Sequence, residues 1–167
     1  VFMNINVDSL NNGFSKEVEF NGNVTLPESL VYHKDVYVQG KGTITNSYGK
    51  YTFEGNVVAK VTFNCNSCLE QFDKEIDFDM VEVFSKDIVN DDEIWLFSSK
   101  DNIINLDEPI KTNLLLNLPM KALCSNNCKG LCRTCGHNLN EGDCGCDRDF
   151  IDPRFEKFLH LFDTKEV

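Results

Sequence analysis

Tyr51-Thr52-Phe53-Glu54-Gly55-Asn56-Val57-Val58-Ala59-Lys60-Val61-Thr62-Phe63 decides the fold. The odd positions are apolar or glycine, and the even ones are polar except Val58. A period of two belongs to a strand with one face buried and one wet. The chain then reverses through Cys65-Asn66-Ser67-Cys68 and resumes the alternation at Phe72, Ile76, Phe78 and Met80. The pattern predicts a hairpin carrying a cysteine pair at its tip.

Upstream, Val36, Val38 and Ile44 with Gly40 and Gly42 predict another strand, bulged at the glycines. Downstream, Glu93-Ile94-Trp95-Leu96-Phe97 reads as a short strand, and Asn90-Asp91-Asp92-Glu93 as a solvated turn. A helix is expected at about 107–118, with Asp107 as N-cap, Pro109 in the first turn and Pro119 as the stop. Ile110, Leu114, Leu115 and Leu118 form its core-facing stripe. A second helix is expected from Asp152, with Pro153 at its first position and Phe155, Phe158, Leu159 and Phe162 on one face, docking on the β domain. The fold class is therefore α+β, mostly β. Residues 3–100 form an antiparallel β domain, 101–123 a connecting Leu-rich helix, 124–150 a Cys-rich zinc module and 151–167 a C-terminal helix.

The chain has 167 residues, 41% of them hydrophobic and 13 of them Phe, enough for a real core. No apolar run approaches the roughly 18 residues that a membrane helix needs. Val1-Phe2, ahead of Met3, read as added residues and are left out of the fold reasoning. Residues 3–10 show neither a basic region nor a continuous apolar core, so no secretory signal is expected and a cytoplasmic address is. Thiols stay reduced there, which favours metal over disulfides for the eight cysteines. The formal net charge of −11 disfavours phosphate backbones and suits a basic protein partner, or serves solubility alone.

The eight cysteines fall into close pairs: Cys65/Cys68, Cys124/Cys128, Cys132/Cys135 and Cys144/Cys146. Zinc takes four soft ligands in a tetrahedron, and a close pair supplies two from one tight turn. The pairs thus suffice for two structural Zn²⁺ ions. The zinc-knuckle string Cys132-Arg-Thr-Cys135-Gly136 with Cys144 and Cys146 is expected to form the first site. Cys65, Cys68, Cys124 and Cys128 then form the second, although the pairs can be joined in three ways. His137 is a substitute ligand that eight thiols make unnecessary, and His33 and His160 lack ligand-like spacing. Four-thiolate sites are closed, which argues against metal catalysis. Iron is chemically compatible with such sites. No phosphate-binding glycine loop, Ser/His/Asp pattern or metalloprotease helix is present.

The string Cys128-Lys-Gly-Leu-Cys-Arg-Thr-Cys-Gly-His-Asn-Leu-Asn140, then Cys144-x-Cys146 and Asp152-Pro-Arg154, resembles the bacterial YceD-like family of large ribosomal RNA subunit accumulation proteins. Cys65-x-x-Cys68 and the helix ending in Leu118-Pro119 occur in the same order there, so the resemblance runs from about residue 57 to 160. It implies a cytoplasmic role in large-subunit biogenesis and supplies no catalytic residue. The expectation is a non-enzymatic ribosome-assembly factor whose acidic surface meets a basic ribosomal protein or assembly factor, with large-subunit rRNA nearby in a complex. Two alternatives stand beside it. One is a direct nucleic-acid-binding zinc module, against which Lys129 and Arg133 are balanced by Glu141 and Asp143. The other is a CxxC thiol redox protein, for which a hairpin tip is the wrong setting.

Overall fold

The computed structural model describes residues 3–87, 94–97 and 102–146. Val1, Phe2, the acidic run at Asn90–Glu93, His160 and the expected C-terminal helix lie outside the described residues.

The decisive stretch is β4 (Lys50–Asn64), after β1 (Asn4–Asn6), β2 (Ser15–Thr25) and β3 (Asp35–Ser47). β5 (Gln71–Ser85), β6 (Ile94–Leu96), β7 (Ile103–Asn105) and α1 (Asp107–Asn117) follow. A five-stranded sheet runs β2-β3-β4-β5-β6, and β1 pairs separately with β7. Tyr51, Phe53, Val57, Ala59, Val61 and Phe63 are all buried, as the alternation requires. On β5, Ile76, Phe78, Met80 and Phe84 face the same core. The mostly β architecture expected from the sequence is therefore the observed one, with one exception to its antiparallel order. β6 runs parallel to β5, Val83 opposite Ile94 and Ser85 opposite Leu96.

β3 contains no bulge. Its register is continuous with β2 from Thr25↔Asp35 to Ser15↔Thr45, and with β4 from Tyr37↔Lys60 to Ser47↔Lys50. The glycines serve a different purpose, which is to make room for rings. A Cβ on Gly40 would lie 2.4 Å from Phe20 Cζ, and one on Gly42 or Gly55 would lie 2.7 Å from Phe53 Cζ. Gly42 and Gly55 are direct cross-strand partners, so the sheet curls over the two phenylalanines. The rings of Phe20 and Phe53 meet edge to face with centroids 5.9 Å apart. The β3–β4 turn is Tyr48-Gly49, with φ of 52° and 85°. Positive φ at both central positions is the two-residue hairpin geometry that matches strand twist.

In α1, Ile110 and Leu114 are buried, and Leu115 and Leu118 pack at the edge of the same core. The helix lies on β5 and β2. Asp107 is not its N-cap. The Leu106 carbonyl takes the first helical bond, from Ile110 N–H at 2.9 Å, and Asn105 Oδ1 accepts the Asp107 N–H at 2.8 Å. The Asn105 side chain thus takes up an N–H that the helix leaves open, and Asp107 sits with Glu108 in the first turn, where negative charge suits the dipole. Leu118 ends the helix with extended backbone, as a residue before proline must.

Candidate metal centres

The β4–β5 turn delivers the first two thiols. Cys65 N–H donates to the Glu70 carbonyl at 2.8 Å, and Leu69 N–H returns to the Cys65 carbonyl at 2.9 Å. Leu69 adopts φ of 64° to close this turn. Both Cys65 and Cys68 are buried. The second pair arrives from beyond α1, where Asn66 N–H donates to the Ala122 carbonyl at 2.8 Å and pins the hairpin tip to the chain that carries Cys124. The sulfurs of Cys65, Cys68, Cys124 and Cys128 lie within 4.8 Å of one another. Cys65 Sγ is 3.7 Å from Cys128 Sγ, and Cys68 Sγ is 3.6 Å from Cys124 Sγ.

The other four thiols gather on a knuckle. Cys132 N–H donates to the His137 carbonyl at 2.8 Å and Gly136 N–H to the Cys132 carbonyl at 2.9 Å. Gly136 has φ of 76°, which lets the backbone fold beneath the sulfurs. Leu131 bridges Asn138, and Gly145, with φ of 69°, donates its N–H to Asp143 Oδ1 at 3.0 Å. Cys132, Cys135, Cys144 and Cys146 again lie within 4.8 Å of one another. Of the three ways to join the pairs, the fold realises this one. His137 is exposed and outside both groups, and His33 lies on the surface against Tyr32. Lys129 and Arg133 are exposed beside the two groups.

The donor chemistry fits a metal. Zinc bound by four thiolates at about 2.3 Å has sulfur–sulfur edges of about 3.8 Å, close to the separations of 3.6 and 3.7 Å. A disulfide at about 2.05 Å does not fit them. Burial pushes the Cys65 thiol up, but the N–H groups of Cys124, Cys68 and Ser67 outweigh it and bring it to about 6. Cys68 takes a favourable bond from the Glu70 backbone, yet burial and its three neighbouring thiols push it up to about 12. The N–H groups of Cys135 and Thr134 hold Cys132 down at about 6, while the Cys135 and Cys144 thiols push Cys146 up to about 12. Backbone N–H groups thus favour the thiolate at Cys65 and Cys132, while crowding by neighbouring thiols opposes ionisation of Cys68 and Cys146. A cation is what allows all four to ionise together.

Sequence spacing missed Asn140. Its Nδ2 donates to Cys128 Sγ at 3.4 Å, and its Oδ1 accepts the Lys129 N–H at 2.8 Å. This side chain is the largest influence holding the Cys128 thiol below its ordinary range. The only hint in the sequence was a polar residue inside the cysteine string with no other task.

Among the described residues no helix is long and apolar enough to cross a membrane. No solved structure matches the chain. A chloroplastic large ribosomal RNA subunit accumulation protein YCED homolog 1 of Zea mays is 40% identical over 62 residues, covering 36% of this chain and 21% of that protein. An uncharacterized protein of Mycobacterium bovis is 28% identical over 113 residues, covering 64% of this chain and 53% of its own length. The chain thus spans about half or less of these curated relatives. The stretch that spans most of β4, β5, α1 and both cysteine groups, residues 53–162, matches the family described as large ribosomal RNA subunit accumulation protein YceD, and the chain belongs to that family.

Proposed function

We propose that this chain is a non-enzymatic factor for accumulation of large-subunit ribosomal RNA in the cytoplasm, held in shape by two structural zinc ions. Family membership supports the ribosomal role. The observation that carries the structural part is the convergence of eight thiols, Cys65 and Cys68 from far upstream among them, into two compact groups. Cys65, Cys68, Cys124 and Cys128 hold one ion, and Cys132, Cys135, Cys144 and Cys146 the other. A four-thiolate zinc supplies a cross-link and leaves no open coordination position for water or substrate. The chain's own contribution is to orient the sulfurs through turn amides and to exclude water from Cys65, Cys68 and Cys132.

The partner is a basic protein of the large subunit or its assembly. Asp73, Glu75, Asp77 and Asp79 alternate along the exposed side of β5, and Glu19 and Glu54 are exposed with them. Lys41, Lys50 and Lys60 are cations whose register places them on that face. A surface of this sign repels a phosphate backbone and attracts Lys/Arg-rich segments, which favours a protein partner over direct RNA contact.

Depletion of the protein in its own cell tests the proposal. Large-subunit RNA should fall relative to small-subunit RNA, and wild-type protein should restore it. Unchanged RNA levels and subunit profiles after depletion would sink the proposed role.

A further inference from the structure

We infer that Asn140 couples the two metal centres, so that zinc bound by the knuckle raises the zinc affinity of the hairpin centre. This rests on the two-zinc proposal above. Asn140 belongs to the loop between Cys135 and Cys144, enclosed by ligands of the knuckle. Its side chain nevertheless serves the other centre, donating Nδ2 to Cys128 Sγ at 3.4 Å and accepting the Lys129 N–H at 2.8 Å.

The direction of the carboxamide is fixed from both ends. Nδ2 also donates to Asn138 Oδ1 at 2.9 Å, and the Asn140 backbone N–H reaches the same oxygen at 3.0 Å. The amide therefore presents hydrogen to the sulfur and oxygen to the N–H, an arrangement that neither a carboxylate nor a methyl group reproduces. A donor aimed at a ligating thiolate orients it and stabilises its charge, and such outer partners change metal affinity by about 10–100-fold.

Coupling follows from where the donor is attached. Zinc on Cys132, Cys135, Cys144 and Cys146 anchors both ends of the loop that carries Asn140. The entropy cost of ordering that side chain has then been met before zinc reaches Cys128. Two backbone bonds hold the halves in register: Leu139 N–H to the Gly130 carbonyl at 2.9 Å, and Leu131 N–H to the Ser67 carbonyl at 3.1 Å. Neither touches a sulfur, so the direct influence on a ligand falls to Asn140. Linkage makes the effect reciprocal, and zinc at the hairpin centre strengthens the knuckle by the same factor.

The test is zinc titration of the whole chain against a competing chelator. Backbone amide resonances of Asn66 and Leu69 report the hairpin centre, and that of Gly136 reports the knuckle. In wild-type protein, Cys144→Ser should lower hairpin-centre affinity about tenfold, and in an Asn140→Ala background it should have little further effect. Asn140→Asp, which keeps an acceptor for Lys129 but turns an oxygen toward Cys128, should weaken the hairpin centre more than Asn140→Ala does. The inference is overturned if Cys144→Ser leaves the hairpin centre unchanged, or weakens it equally with and without Asn140. It is also overturned if Asn140→Asp binds like wild type. Two zincs filling independently would leave the metal proposal standing, and a wild-type chain that takes up no zinc would remove both.

Discussion

The Sγ atoms of Cys65 and Cys128 lie 3.7 Å apart although 63 residues separate them in the chain. Cys65 immediately follows β4, and Cys128 lies beyond α1. A metal held between them closes a loop containing β5, β6, β7 and the helix, and so ties the hairpin tip to the chain after the core. Cys65 is also the acceptor for Cys124 N–H at 3.4 Å, so one sulfur organises both incoming segments.

Protein purified without chelator is expected to carry two zinc ions per chain by elemental mass spectrometry. Cys65→Ser should lower the count to one through the hairpin centre, and Cys132→Ser should lower it through the knuckle. An unchanged count in either variant would contradict the assignment of that residue as a ligand.

Residues 122–146 contain turns and a single bridge but no helix or strand ladder. On the two-zinc proposal their order depends on the two sulfur groups, each worth on the order of 10 kcal/mol when a structural zinc is bound. Chelation should therefore abolish hydrogen-exchange protection of Cys132, Gly136 and Leu139 amides while β3 and β4 stay protected. Retained protection in the cysteine segment after complete metal removal would refute this.

Zinc should leave as the pH falls. Ligand thiols must be deprotonated to bind, so protons compete with metal and affinity drops on acidification. Cys68 and Cys146, each pushed up to about 12, hold protons at neutral pH in metal-free protein, so zinc uptake there must release them. Calorimetry in buffers of different ionisation enthalpy should report that release, and a buffer-independent enthalpy would exclude it.

Gly42→Ala should destabilise the sheet by about 1–3 kcal/mol, an overpacking cost. Its new Cβ would fall 2.4 Å from the Glu54 carbonyl oxygen, which is backbone and cannot swing away. Gly142 has open space around it, so Gly142→Ala should stay within about 0.5 kcal/mol of wild type. Urea denaturation compares the two.

Glu82 joins three elements, accepting Trp95 Nε1–H of β6 at 2.7 Å and the Asn113 amide of α1 from its place on β5. Glu82→Ala should cost about 1–3 kcal/mol by leaving half-buried donors unpaired. Trp95 is the one tryptophan of the chain, so its fluorescence should shift to the red as β6 loosens. An unshifted spectrum at full stability would show that the contact carries no weight.

By itself the sequence determined the elements whose signal is local. The alternation from Tyr51 to Phe63 identified β4 and its buried face, because a two-residue period survives whatever lies opposite. Close spacing likewise identified four cysteine pairs and the Gly136 turn. Only the tertiary structure decided which pairs meet, because that depends on α1 packing on β5 and bringing the Ala122 carbonyl to Asn66. It also decided that Gly40, Gly42 and Gly55 make room for Phe20 and Phe53 rather than form a bulge, since a glycine records the absence of a side chain and not what fills the space. The parallel run of β6 and the reach of Asn140 to Cys128 were equally illegible. Both are set by where a distant segment finally docks, and no periodicity within either segment encodes that.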